Sequence, residues 1–315
     1  MAKSQKPLGE HIPDFLDWLD IEKGLASKSQ KNYHNFLKRF LSWLSQVHLQ
    51  ELPPQALTLD HIRQYRLHLS RGLSLKKSTQ NYYLIALRSL LQYFSERDIE
   101  ALPPDKVKLA REKEERQVRF LSLEQLGKLL HVIDTSNFHG LRNRAILETF
   151  FSTGLRIAEL IALNREQIRL PKDPSEELEI SIQGKGGRIR TVYFSQRALE
   201  WLQKYLGTRK DNHDALFITY LSEAKKTGPR RISPRLIQEV IKRYAVKAGL
   251  SPALVTPHVM RHTFSTDLLA QGVDIRTLQE FLGHKSIAAT QIYAHLTSKQ
   301  LREIHKKFHG GRQLP

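Results

Sequence analysis

Glu179-Ile-Ser-Ile-Gln-Gly-Lys-Gly-Gly-Arg-Ile-Arg-Thr-Val-Tyr-Phe194 is the stretch that decides what kind of chain this is. Glu179 to Gln183 alternates polar and apolar residues, Gly184-Lys-Gly-Gly supplies turn residues, and Thr191 to Phe194 is rich in strand formers. The pattern predicts a β-hairpin with Lys185 near its tip. On either side the apolar residues recur at helical spacing. The chain is therefore read as mainly α with one small β element.

Upstream, Tyr33, Leu37, Phe40, Leu41 and Leu44 fall at i, i+4, i+7, i+8 and i+11, and Tyr83, Leu87, Leu90, Leu91 and Phe94 repeat the pattern. Pro53-Pro54 breaks the chain before a third candidate helix at about 59–71, and Pro103-Pro104 closes the region. This predicts a bundle of about four helices over 1–104. Residues 105–118 are highly charged and poor in large apolar side chains, so they read either as an interdomain linker or as a solvated helix. A second domain is expected over 119–315. Its later helices are placed at Ser233 to Ala248, His258 to Ala270, Ile275 to Leu282 and Ser298 to Phe308.

The chain has 315 residues, enough for two domains that each bury a core. It carries 50 Lys and Arg against 32 Asp and Glu, a formal net charge of +18. Residues 1–110 hold 16 basic and 11 acidic residues and residues 111–315 hold 34 and 21, so both parts are positive. A polyanion is the natural partner, and nucleic acid leads. There is no cysteine, which excludes disulfides and thiolate zinc sites. With no apolar leader and no run of about 20 apolar residues, a cytoplasmic protein without a membrane span is expected.

Five residues could handle phosphate. Arg156, in Thr-Gly-Leu-Arg, begins a short apolar helix, with Glu159 one turn on to orient it; taken alone the two also read as a surface ion pair. His258 and Arg261 lie at i, i+3 in His-Val-Met-Arg-His and are expected on one helix face, where a phosphate could bridge them. His262, four residues after His258, invites a metal pair, but no carboxylate or Cys accompanies it, so no metal is assigned. His284 follows Leu282-Gly283, where the glycine is expected to close a helix, and Tyr293 follows nine residues later. A phenol with a pKa near ~10 becomes a useful nucleophile only among cations and a base. Lys185 either donates a proton or simply contacts phosphate.

Taken in order, Thr-Gly-Leu-Arg-x-x-Glu, Gly-Lys-Gly in a hairpin, His-x-x-Arg-His, Leu-Gly-His and Tyr-Ala-His resemble the tyrosine site-specific recombinases, the phage integrase and Xer group. The resemblance implies a SAM-like core-binding helical domain followed by a mixed, mostly helical catalytic domain. Arg156 and Arg261 would bind the scissile phosphate and Tyr293 would form a 3′-phosphotyrosyl intermediate. Lys185 would be general acid, His258 general base or phosphate donor, His284 a phosphate contact or orienting group, and Glu159 a supporting acid. Arg188, Arg190, Lys76 and Lys77 would contact DNA. Met260 stands where the family often has Leu, and Arg188 where it often has Lys.

No cofactor is implied, because the ester retains the bond energy and a second 5′ hydroxyl can reseal the strand. The implied partners are double-stranded DNA carrying a specific site, three further copies forming a tetramer on two duplexes through a Holliday junction, and a second recombinase or regulatory protein. The compact length resembles Xer-type chromosome or plasmid resolvases. A phage or transposon integrase, a topoisomerase-like relaxing enzyme, and a non-cleaving DNA-binding protein of the same fold are the alternatives. Residues 296–315, with Leu301, Ile304 and Phe308 on one face, are expected to dock either on a neighbour or on their own subunit.

Overall fold

The structure is a computed structural model that describes residues 1–110, 118–169, 178–184, 187–220, 228–284 and 290. It divides into two compact units, Met1–Glu115 and Arg116–Pro315.

The first unit contains helices α1 (Ile12–Ile21), α2 (Ser27–Gln46), α3 (Leu59–Leu67) and α4 (Lys77–Glu96). The apolar stripes expected for α2 and α4 face one interior: Leu37, Phe40 and Leu44 meet Leu87, Leu90, Leu91 and Phe94, while Tyr33 and Leu41 pack at its margin. Phe15 and Trp18 of α1 and Tyr65 of α3 complete an aromatic centre, with Tyr65 edge-on to Phe40 at 4.9 Å. The third helix ends differently from the expected 59–71 span. Its α-helical part stops at Leu67 and one wider π turn, His68–Gly72, carries the chain on.

The second unit is built around α6 (Phe138–Thr153), which is buried on nearly every side. A helix with no solvent face has no apolar stripe, so its periodic signature is weak. Its buried Arg142 donates to the Ile218 carbonyl at 3.1 Å and so ties it to the small pair β3 (Ile218–Thr219) and β4 (Arg230–Arg231). Around it lie α5 (Leu123–His131), α7 (Ile157–Ala162), α8 (Gln196–Gly207), α9 (Pro234–Lys247), α10 (Pro257–Ala270) and α11 (Ile275–Leu282). The expected hairpin is present as β1 (Leu178–Gln183) antiparallel to β2 (Ile189–Phe194), in the register Ile182↔Arg190 and Gln183↔Ile189. Leu178, Ile180 and Ile182 point inward and the residues between them outward. The tail expected at Ser298 to Phe308 lies outside the described residues.

Two helices are closed by glycines in the left-handed region, Gly154 after α6 (φ +59°) and Gly283 after α11 (φ +60°). At Gly154 a side chain is excluded twice over, because a Cβ there would lie 2.3 Å from Cδ1 of Phe264. Gly249 has a similar φ of +70° but open space around it. Gly249→Ala should therefore lose only the backbone term, on the order of 1 kcal/mol. Gly154→Ala should lose that and the displacement of the Phe264 ring, at least ~2 kcal/mol. Urea unfolding of both variants measures the difference, and equal losses would show that Phe264 yields freely.

Candidate active site

Helix α7 has six residues, so few of its backbone groups find partners within it, and its placement depends on what grips its ends. At the N-terminus Arg156 is the cap residue. Glu159 reaches back, one carboxylate oxygen accepting from the Arg156 main-chain N–H at 2.7 Å and the other from its guanidinium at 2.9 Å. At the other end Arg231 donates to the carbonyls of Ile161 (2.6 Å) and Leu163 (3.0 Å) and to Asn164 Oδ1 (2.6 Å). The pair Arg156–Glu159 is therefore not a surface pair: the Glu159 side chain is only 6% exposed, and Arg156 is the partner that reaches solvent.

Glu159 has a second guanidinium. Arg190 forks onto it, Nη1 to Oε1 at 3.0 Å and Nη2 to Oε2 at 2.8 Å, while its Nε donates to the Phe281 carbonyl at 3.1 Å. Burial alone would push the Glu159 carboxyl up, but hydrogen bonds from Arg190 and from the Arg156 backbone, with the Arg190 charge, hold it down at about 2. Arg190, expected as a DNA contact, has its side chain turned inward and 8% exposed. The reason is the pleat. Arg190 stands across from buried Ile182 and shares a strand face with buried Val192 and Phe194, while Ile189 points outward. That alternation was present in the sequence and would have revealed it.

Arg261, on α10, is also internal at 5% exposure. Nη1 makes a short bond to the Gly154 carbonyl, and Nη2 donates to the Leu282 carbonyl at 2.6 Å and lies 3.2 Å from Nε2 of His284. A guanidinium cannot accept, so His284 Nε2 is the acceptor in this contact. The ring proton then sits on Nδ1, 2.9 Å from Thr290 Oγ1, to which it donates. Burial, followed by the charges of Arg261, Arg156 and Arg190, pushes the His284 pKa down to about 4. His262 is pushed to about 4 as well, by burial and then by His258 and Arg261. His258 itself is exposed, so the expected common face with Arg261 does not give the two a common environment.

Arg188 remains exposed and donates to the His284 carbonyl at 3.3 Å. Between the hairpin and α11 lies a cavity of about 740 Å³ lined by Gly184, Arg188, Arg190, Arg276, Glu280 and His284, among others. The second unit thus brings together Arg156, Glu159, Arg188, Arg190, Arg261 and His284. Lys76 and Lys77 are exposed at the start of α4 in the first unit. Lys185 and Tyr293 lie outside the described residues. Sequence reasoning missed Thr290, Arg231 and the two carbonyl acceptors, none of which carries a local signal.

Two family models match the chain: the phage integrase family over residues 119–300, and the phage integrase N-terminal SAM-like domain over residues 13–101. Tyrosine recombinase XerD of Vibrio vulnificus (strain YJ016) is 31% identical over 301 residues, 95% of each chain. Tyrosine recombinase XerC of Thermodesulfovibrio yellowstonii is 31% identical over 308 residues, 95% of this chain and 96% of that one. Among solved structures, the XerH site-specific recombinase bound to difH substrate, in a pre-cleavage complex, has a TM-score of 0.71 at 22% identity, covering 96% of this chain and 97% of that one, and is similar in fold.

The lowered histidines of this region, His262 and His284, make stability depend on pH in a defined direction. Between about pH 4 and 6.5 the unfolded chain holds protons on His262 and His284 that the folded chain does not, so stability falls as pH falls through that window. The Glu159 contribution is kept until lower pH and is lost between about 4.5 and 2. Thermal unfolding followed from about pH 7.5 to 4.5 should show a shallower decline in the double variant His262→Gln/His284→Gln than in the unaltered protein. An unchanged slope would refute the assignment.

Proposed function

Because the chain belongs to the phage integrase family of tyrosine recombinases, enzymes that cleave and rejoin DNA, we propose that Arg156 and Arg261 hold its scissile phosphate while Tyr293 attacks it. The observation that carries this is the charge around His284. Three guanidiniums act on that imidazole, and Glu159, the carboxylate among them, is already shared by Arg156 and Arg190. Such a site favours an anion over any neutral ligand.

In this reading the Tyr293 hydroxyl attacks phosphorus in line, its proton passes to His258, and the bond to the 5′ oxygen breaks as Lys185 protonates that oxygen. The product is a 3′-phosphotyrosyl ester and a free 5′ hydroxyl. Charge developing on the nonbridging oxygens is met by Arg156 and Arg261. A phosphate beside His284 favours its protonated form, which turns Nε2 from an acceptor toward Arg261 into a donor toward the phosphate. Resealing is the same step reversed, with a 5′ hydroxyl from the second duplex as nucleophile, so neither ATP nor a metal ion is required.

We assign the biological role to Xer-type site-specific recombination, in resolution of chromosome or plasmid multimers. Equal 31% identity to a XerD and a XerC supports the group and is neutral between its two names. The rest of the reading is four protomers on two duplexes passing through a Holliday junction, with a second recombinase or a regulatory protein as partner, in the cytoplasm. Among the described residues no helix is long and apolar enough to cross a membrane. Residues 1–104 and 119–315 are taken as the core-binding and catalytic domains and 105–118 as their linker, in keeping with the division of the chain at residues 115 and 116. The exposed cations Lys76, Lys77 and Arg188 are assigned to DNA phosphates.

On a suicide duplex that traps the cleaved state, the unaltered protein should form a covalent adduct and Tyr293→Phe should form none while binding DNA with similar affinity. Arg156→Gln and Arg261→Gln should slow the adduct by about 10²–10³-fold. An undiminished adduct in Tyr293→Phe, read on a denaturing gel, would remove that residue as nucleophile. A mixture of tagged and untagged protein on two duplexes, separated by native electrophoresis, should give the five species of a tetramer; three species would limit the assembly to a dimer.

A further inference from the structure

We propose that Arg190 is a positioning residue for strand cleavage: forked on Glu159 and bonded to the Phe281 carbonyl, it holds Arg156, the hairpin and the end of α11 in one arrangement. This rests on the phosphate-clamp reading above and adds to it a residue that touches no DNA.

The three bonds of Arg190 join its own strand to two other segments. Its own strand, β2, belongs to the hairpin that leads to Lys185; Glu159 belongs to α7 and in turn holds Arg156; and Phe281 lies next to Leu282, whose carbonyl holds Arg261. Each bond is made by a different nitrogen of one rigid planar group, so the three segments are fixed relative to one another. A lysine ammonium at the same place is a point charge and cannot fork a carboxylate while reaching a carbonyl on its other side.

The cradle around this side chain is a second, independent observation. A Cβ on Gly184 would stand 3.2 Å from Arg190 Nη1 and 3.3 Å from Glu159 Oε1, and a Cβ on Gly283 would stand 2.8 Å from Arg190 Cδ. The two glycines that leave room for Arg190 are the residues immediately before Lys185 and His284. Arg190 therefore packs on the main chain next to both of those groups. With 8% of its side chain exposed it has little surface to offer a DNA phosphate.

Loss of the fork leaves a buried carboxylate with one guanidinium partner, and Glu159 no longer holds Arg156 in a single orientation. Misplacement of a reacting group by about 1 Å lowers rate by up to ~10²-fold. A residue that only positions others does this without altering DNA affinity, whereas a phosphate contact lowers affinity and reduces the salt dependence of binding by about 0.9 per contact.

The test uses the full chain and a suicide duplex. Single-turnover adduct formation is measured for the unaltered protein, Arg190→Lys, Arg190→Gln, Glu159→Gln and the double variant Arg190→Gln/Glu159→Gln, with DNA affinity taken over a range of salt. Arg190→Gln should slow adduct formation by about 10²-fold with affinity and salt slope unchanged, and Arg190→Lys should fall between it and the unaltered protein. The double variant should be no slower than the slower single one. The acid fall-off of the rate should also move to higher pH in Arg190→Gln, because Glu159 loses the bonds that hold its carboxyl near 2. If Arg190→Gln does not fold, Arg190→Lys carries the test through its rate and salt slope. A salt slope reduced by about one makes Arg190 a phosphate contact, full cleavage makes it dispensable, and multiplicative losses in the double variant separate it from Glu159; each overturns the proposal. Absence of any Tyr293 adduct in the unaltered protein would instead sink the clamp reading itself.

Discussion

Arg261 occupies an interior position that a cation tolerates only where acceptors converge, and the second unit is arranged to supply them. Both main-chain carbonyls it binds, Gly154 and Leu282, lie at the C-terminal ends of helices, α6 and α11, where the aligned peptide dipoles leave negative potential. Both ends are turned by left-handed glycines. One guanidinium thus neutralises two helix ends and fixes their distance from α10. Arg156 follows the first of those ends by two residues and His284 follows the second by two, so the spacing of Arg156, Arg261 and His284 is inherited from the packing of three helices.

Glu159 complements this. A buried carboxylate is tolerable when charged donors satisfy it, and Arg156 and Arg190 do so from opposite sides of the chain order. Sharing one acid between two guanidiniums leaves positive charge in excess at the place where His284 must stay neutral in the resting protein. Burial first, and then those same arginines, disfavour protonation of the imidazole.

Much of this was legible. The two helical stripes of the first unit, the hairpin, and the glycine end of α11 are local patterns of period 3.6, period 2 and a single left-handed residue, and each could be read within one window. The motif order placed Arg156, Glu159, Arg261 and His284 in one family site, and the structure brings those four together. What escaped notice depends on distance along the chain. Arg190 meets Glu159 across 31 residues and Arg261 meets Gly154 across 107, and no local window contains both partners. Arg190 lies near a basic hairpin tip, yet strand parity turns its side chain inward. Helix α6, buried all round, has no stripe to read, and the π turn after α3 replaces what looked like uninterrupted helix.

The long reach of the Arg261 bonds also bears on how the protein is made. These contacts form only when residue 261 meets the carbonyls of residues 154 and 282. A chain emerging from the ribosome can complete its first unit and much of α6 well before those contacts exist. A truncated or half-synthesised product thus lacks the contacts that bring Arg156, Arg261 and His284 together, and the site is assembled last.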